Sequence, residues 1–248
     1  GGWGVHLAMF AVDAAQRGLT GAEHVLDGIK SLSTVFQGDA GKEIAFGKPY
    51  LINWLSIKQY PACFAVNPAV NAAFALQEKY NIDTAEIESV LVDSYPYSYD
   101  LNNGVGRNPN TPSGRLSLYY PVAVALIERS LTPDAFTAEK LKDPKYAELR
   151  GKITAKRHDA YGDGPKGIRA CIVEVHMKDG RVYQMEYNAT DVHVVYSDEM
   201  LYEKYCGLTR DALAPDQQKS LYDYAMAVAR QEDLSYLLNA MRALPKIG

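Results

Sequence analysis

Two segments of the chain hold residues whose types and spacing could do chemistry. The first is Lys58-Gln59-Tyr60-Pro61-Ala62-Cys63, followed by Asn67-Pro68-Ala69-Val70-Asn71-Ala72-Ala73. The second is Arg115-Leu116-Ser117-Leu118-Tyr119-Tyr120-Pro121-Val122-Ala123-Val124-Ala125. A lysine ammonium is a mobile point charge suited to a carboxylate, and Arg115 with Ser117 could bind a carboxylate near a helix start. The Tyr120 phenol can donate a hydrogen bond or carry a proton. Each residue also has a plainer reading. Lys58 could be a surface lysine beside a proline turn, Tyr120 a core aromatic on an apolar helix, Ser117 a cap or packing residue, and Asn67 the N-cap ahead of Pro68. Nothing near Cys63 would activate it as a nucleophile, so it reads as an inert thiol.

Other chemistries find little support. The sequence has no Walker A, GxGxxG, GxSxG or HExxH motif. His6, His24, His158, His176 and His193 are scattered without metal-ligand spacing, so no metal is expected here. Cys63, Cys171 and Cys206 form no CxxC pair, which fits reduced thiols in a cytoplasmic or mitochondrial-matrix protein. With 26 Lys and Arg against 30 Asp and Glu, the net charge is −4, and nothing points to nucleic acid. The basic run from Lys140 to Arg169 is broken by Glu148, Asp159 and Asp163 and reads as a solvated mixed surface. No apolar run reaches the roughly 20 residues that span a bilayer. The opening residues lack the charged start and cleavage site of a signal peptide, so no membrane association is expected and the expected location is cytoplasmic.

The elements that must position these residues follow from periodicity. Val5, Ala8, Met9, Val12 and Ala15 recur at helical spacing, with Gly18 as a stop. Thr20 and Glu23 suggest a capping box for a short helix through Leu26, and residues 37–50 read as a loop. A new pattern begins near Trp54. Asn67-Pro68 predicts a helix start, running to about Tyr80 with Val70, Ala73, Phe74 and Leu76 inward. Ile87 to Tyr95 reads as a strand, residues 100–114 as a loop, and Leu116 to Ile127 as a helix. Asp143-Pro144 opens a short helix toward Leu149. Ile172 to Met177 and Val182 to Tyr187, joined by Lys178-Asp179-Gly180, predict a hairpin, with Lys152 to His158 as a third strand. After Ser197 the pattern is helical, with one helix from Pro215 and a last one over about Asp233 to Leu244. The expected fold class is α+β. An α+β unit is set between two pieces of one helical domain, and the chain opens as though the upstream part of a longer protein were absent.

In order and spacing, these motifs resemble the MmgE/PrpD family, which includes 2-methylcitrate dehydratases and cis-aconitate decarboxylases. The family carries Lys-x-Tyr-Pro-x-Cys, then His-Pro-Ala-Ile-Asp-Ala, then a basic residue ahead of Ser-Leu-x-Tyr and a Val-Ala-rich helix. Ile87-Glu88-Ser89-Val90, Asp143-Pro144 to Leu149, Asp179-Gly180-Arg181 and Gly18-Leu19-Thr20-Gly21 match further pieces in sequence order. The resemblance implies an all-helical domain, here incomplete, with an inserted α+β lid. Residues 1–54 would be the end of the helical domain, 55–197 the lid, and 198–248 helices returning to the helical domain. It implies a cofactor-free lyase acting on a small di- or tricarboxylic acid by proton abstraction and loss of water, as in propionate catabolism. Decarboxylation and epimerisation occur on the same scaffold. Lys58 and Tyr120 would be catalytic, and Arg115, Ser117 and Asn67 would bind substrate. Asn67 stands where the family commonly has His, and Asn71 where it has Asp. The implied partners are a second copy of the chain or a subunit supplying the N-terminal helical half. A noncatalytic subunit or remnant is the competing reading.

Overall fold

The computed structural model describes residues 2–21, 23, 25, 50, 57–105, 110–162, 167–189 and 197–244. The chain divides into two compact units, Gly1–Ser56 and Ile57–Gly248. In the first unit, helix α1 (Gly2–Gln16) buries none of its residues. It ends where Gly18 takes φ 93°, a left-handed value that glycine adopts without a Cβ clash. The capping box predicted at Thr20 and the loop over 37–50 fall largely outside the described residues, as does the start near Trp54.

The second unit is α+β, as the sequence predicts. Its elements are α2 (Asn67–Tyr80), β1 (Ile87–Ser94), α3 (Pro96–Asn102), α4 (Thr111–Gly114), α5 (Tyr120–Glu128), α6 (Ala138–Lys142) and α7 (Pro144–Gly151). They continue with β2 (Ile153–Arg157), β3 (Ala170–Met177), β4 (Val182–Asn188), α8 (Asp198–Thr209), α9 (Pro215–Met226) and α10 (Ser235–Ala243). No helix among the described residues is long and apolar enough to cross a membrane.

The four strands form one mixed sheet in the order β2-β1-β3-β4. The hairpin β3–β4 is antiparallel, and its turn is set by Gly180 at φ 85° and by Asp179, whose carboxylate accepts from the Arg181 N–H. β1 lies antiparallel to β3 and parallel to β2. A parallel neighbour needs a crossover, and α3 to α7 supply it. The predicted third strand therefore joins the sheet on the far side of β1 and does not touch the hairpin.

One face of the sheet carries the core. Val90, Val92, Val173, Val175 and Ile153 pack with Val70, Ala73 and Leu76 of α2 and with Val122 and Leu126 of α5, all essentially without exposure. The opposite face is polar, presenting Asp93, Glu174, His176 and Glu186. This division into an apolar face and a wet face is usual for antiparallel strands.

Three local details differ from expectation. Asn67 is not an N-cap: at φ −55° and ψ −39° it is already helical, because the 3₁₀ turn Phe64–Val66 runs straight into α2. Helix α5 begins at Tyr120 and not at Leu116, since the Ser117 hydroxyl accepts from the Tyr119 and Tyr120 amides and Pro121 follows at once. The stretch 100–114 holds the end of α3 and the single turn α4, which is closed by a capping box between Asn110 and Ser113.

Candidate functional site

The segment 58–63 is an irregular loop pinned at both ends. Asn71, on the first turns of α2, accepts from the Tyr60 hydroxyl at 2.7 Å and donates to Gln59 at 3.0 Å. An amide does both jobs at once, whereas a carboxylate can only accept. Tyr60 also sits edge-on to Phe74, with ring centroids 5.3 Å apart. At the other end the Cys63 amide donates to the Arg115 carbonyl at 2.7 Å, tying the first predicted segment to the second. From α8, the Lys204 ammonium donates to the Lys58 carbonyl. Burial lowers the Lys204 pKa.

Lys58 itself is exposed, and its ammonium lies 3.4 Å from the Ala62 carbonyl. Arg115 is also exposed, with its guanidinium 5.5 Å above the Phe136 ring. Asn67 is 5% exposed, and its side-chain oxygen has no hydrogen-bond partner among the described residues. Ser117 is fully buried and caps α5. Tyr120 is fully buried as well. Its hydroxyl donates to the Ala135 carbonyl, and its ring stands edge-on to Phe136 and Tyr146. Burial, partly offset by Arg150, pushes this phenol up to about 12. The structure thus brings the segments of Lys58, Asn67 and Arg115 together on one side. Ser117 and Tyr120 sit in the core, because the apolar helix that carries them is driven there.

Sequence reasoning missed a neighbouring cavity of about 250 Å³. Cys63 and Phe64 from the pinned loop, Tyr95, Tyr97 and Leu101 around the end of β1 and in α3, and Arg169 just before β3 line it. Arg169 was one more charge in an apparently solvated run. Tyr95 was the last residue of a predicted strand. Neither carries a local signal, since the cavity is closed by tertiary pairing.

Sequence reasoning also missed the pair His158–Asp93. The imidazole Nδ1 lies 2.8 Å from the Asp93 carboxylate, and the ring stacks at 4.1 Å on Tyr161, whose hydroxyl donates to Glu186. The parallel pairing of β1 and β2 brings these groups together on the polar face of the sheet. No cluster of three or more metal-ligating side chains occurs among the described residues.

A family model described as the MmgE/PrpD C-terminal domain matches residues 60–229. The chain belongs to the MmgE/PrpD family. It is also similar to the mitochondrial 2-methylcitrate dehydratase of Yarrowia lipolytica (strain CLIB 122 / E 150), at 29% identity over 153 residues. That alignment covers 57% of this chain and 29% of the dehydratase, so the chain spans less than a third of that relative's length. The matched MmgE/PrpD region contains the pinned loop from Tyr60 on, the whole sheet and the cavity.

Proposed function

We propose that this chain is the carboxylate-holding, C-terminal part of a lyase that dehydrates a small di- or tricarboxylic acid, 2-methylcitrate or a near analogue. Family membership supports the reaction class. The single observation that carries the site is the pinned loop, which holds the exposed Lys58 and is bonded through the Cys63 amide to the Arg115 carbonyl.

In this reading a base removes a proton from the carbon beside a carboxylate. The carbon–oxygen bond on the neighbouring carbon breaks, and the departing hydroxyl takes a proton to leave as water. Lys58 and Arg115 hold substrate carboxylates, and Lys58 is also placed to give up a proton. The unpartnered Asn67 oxygen is an acceptor for a substrate hydroxyl. Ser117 and Tyr120 act as positioning residues: Ser117 sets the start of α5, and Tyr120 holds the turn whose Phe136 lies under Arg115. The acid or base that Asn67 does not supply comes from an N-terminal helical half, in cis or from a partner. In this reading no cofactor takes part.

A second reading rests on Asn67 and Asn71, amides that can act as neither acid nor base. The chain would then bind the acid but turn it over only with a partner chain or as a dimer.

The test is to follow 2-methylcitrate, citrate and cis-aconitate by NMR, with the chain alone and with a separately expressed N-terminal half. Turnover or saturable binding by wild type should weaken about 10–100-fold in Lys58→Met, because a hydrogen bond to a charged group contributes about 1.5–3 kcal/mol. Absence of both binding and turnover in every mixture would sink the proposal.

A further inference from the structure

We propose that the outer edge of β4 is a self-association surface, on which a second copy of this chain lays its own β4 antiparallel, with the two-fold axis at Met185. β4 closes the sheet on one side and β2 on the other. The two edges differ. β2 has 5 residues and carries Lys156 and Arg157, charges that keep a further strand away. β4 has 7 residues without proline, lysine, arginine or a bulge. An unblunted edge is a template for another strand.

The outward groups of β4 follow from its pairing. The Ala189 amide donates to the Arg169 carbonyl, and the Met177 amide to the Arg181 carbonyl. By the alternation of an antiparallel ladder, Tyr183, Met185 and Tyr187 bond to β3, while Val182, Gln184 and Glu186 turn their backbone groups outward. Among the described residues no hydrogen bond reaches those outward groups.

The sequence of the edge selects the occupant. Tyr183-Gln184-Met185-Glu186-Tyr187 reads almost the same in both directions. Turned about Met185, it sets Tyr183 against the partner's Tyr187 and Met185 against the partner's Met185. The Gln184 amide then faces the partner's Glu186 carboxylate, and no like charges meet. Aromatic pairs and matched polar pairs stabilise neighbouring strands. Glu186 accepts from Tyr161 and keeps lone pairs for the amide. Tyr183, Met185 and Tyr187 are half-buried, so pairing covers what each chain leaves open.

Helix spacing points the same way. α2 packs on both β3 and β4. An axis midway between those strands stands about 2.4 Å inside β4, so two copies of α2 would lie about 10 Å apart, a distance at which helices pack. The surface does not depend on the reaction proposed above.

Cysteine cross-linking reads the register. Met185 and its counterpart form a non-hydrogen-bonded pair, whose Cα atoms stand about 4.5 Å apart, within disulfide reach. Diamide oxidation of full-chain Met185→Cys should give a covalent dimer whose peptide map joins the two introduced thiols. Gln184→Cys should not, because its own counterpart lies beyond the limit of about 7 Å for bridging. Wild type, with Cys63, Cys171 and Cys206, is the baseline. Gln184→Pro removes an outward N–H and leaves the β3 ladder whole. Sedimentation equilibrium should show its dimer weakened about 10–100-fold, with circular dichroism unchanged. A wild-type chain that stays monomeric up to millimolar concentration overturns the proposal. So does a dimer that a folded Gln184→Pro leaves intact, or a Met185→Cys chain that links no faster than wild type. A link through Gln184→Cys in its place overturns the axis at Met185. If Gln184→Pro loses its circular dichroism, the two cysteine variants decide alone.

Discussion

Tyr120 and Tyr95 are both buried tyrosines in the same unit, and they do opposite things. Tyr120 lies in the core without exposure, edge-on to two aromatic rings, with its hydroxyl given to a backbone carbonyl. Tyr95 caps the end of a strand, with its hydroxyl given to no described acceptor and an arginine beside it in a cavity wall. The motif resemblance singles out the first, while the second carries no motif and lines the cavity. A residue type in a motif says that the position matters. Where the hydroxyl goes says whether it matters for packing or for a ligand.

The hardest blow to this contrast is truncation. Tyr120→Ala removes a ring with no exposure and should cost about 3–5 kcal/mol, as for other large aromatics cut from a core. Denaturant unfolding measures it. A loss under about 1 kcal/mol, the range of surface substitutions, would mean that Tyr120 is not the core anchor its contacts imply.

Removing only the hydroxyls sharpens the comparison. Tyr120→Phe strands the Ala135 carbonyl in the core and should cost about 1–2 kcal/mol, while Tyr95→Phe strands nothing and should stay within about 0.5 kcal/mol. Equal losses in the two variants would show that the Tyr95 hydroxyl has a structural partner after all.

How much of this was legible in the sequence depended on how local each cause was. The β3–β4 hairpin was readable because Asp179-Gly180 dictates its own turn. The start of α7 was readable because the Asp143 side chain accepts from the Lys145 amide two residues on. The start of α2 at Asn67-Pro68 was readable too, but Asn67 is its first helical residue and not its cap, because the 3₁₀ turn before it runs straight in. The family motif located the loop of Lys58 but not what anchors it. Asn71, which looked like a weakened family position, bridges Tyr60 and Gln59 in a way its amide allows. The His158–Asp93 pair and the Arg169–Tyr95 cavity were invisible, because strands and loops far apart in sequence meet only once β1 pairs with β2 and β3.

The gentlest probe is pH. Burial lifts the Tyr120 phenol from its ordinary value near 10 to about 12, so the folded state holds this proton more tightly than the unfolded chain does. The stability linked to that proton is present in full below about pH 10 and is lost as pH rises through the folded value. Tyr95 is also held up by burial, so both tyrosines contribute to the alkaline loss. Unfolding measured between about pH 9 and 12 should therefore show stability falling, and Tyr120→Phe should flatten the fall. Tyr95→Phe should flatten it too, and a fall that neither variant flattens would assign the loss to other groups.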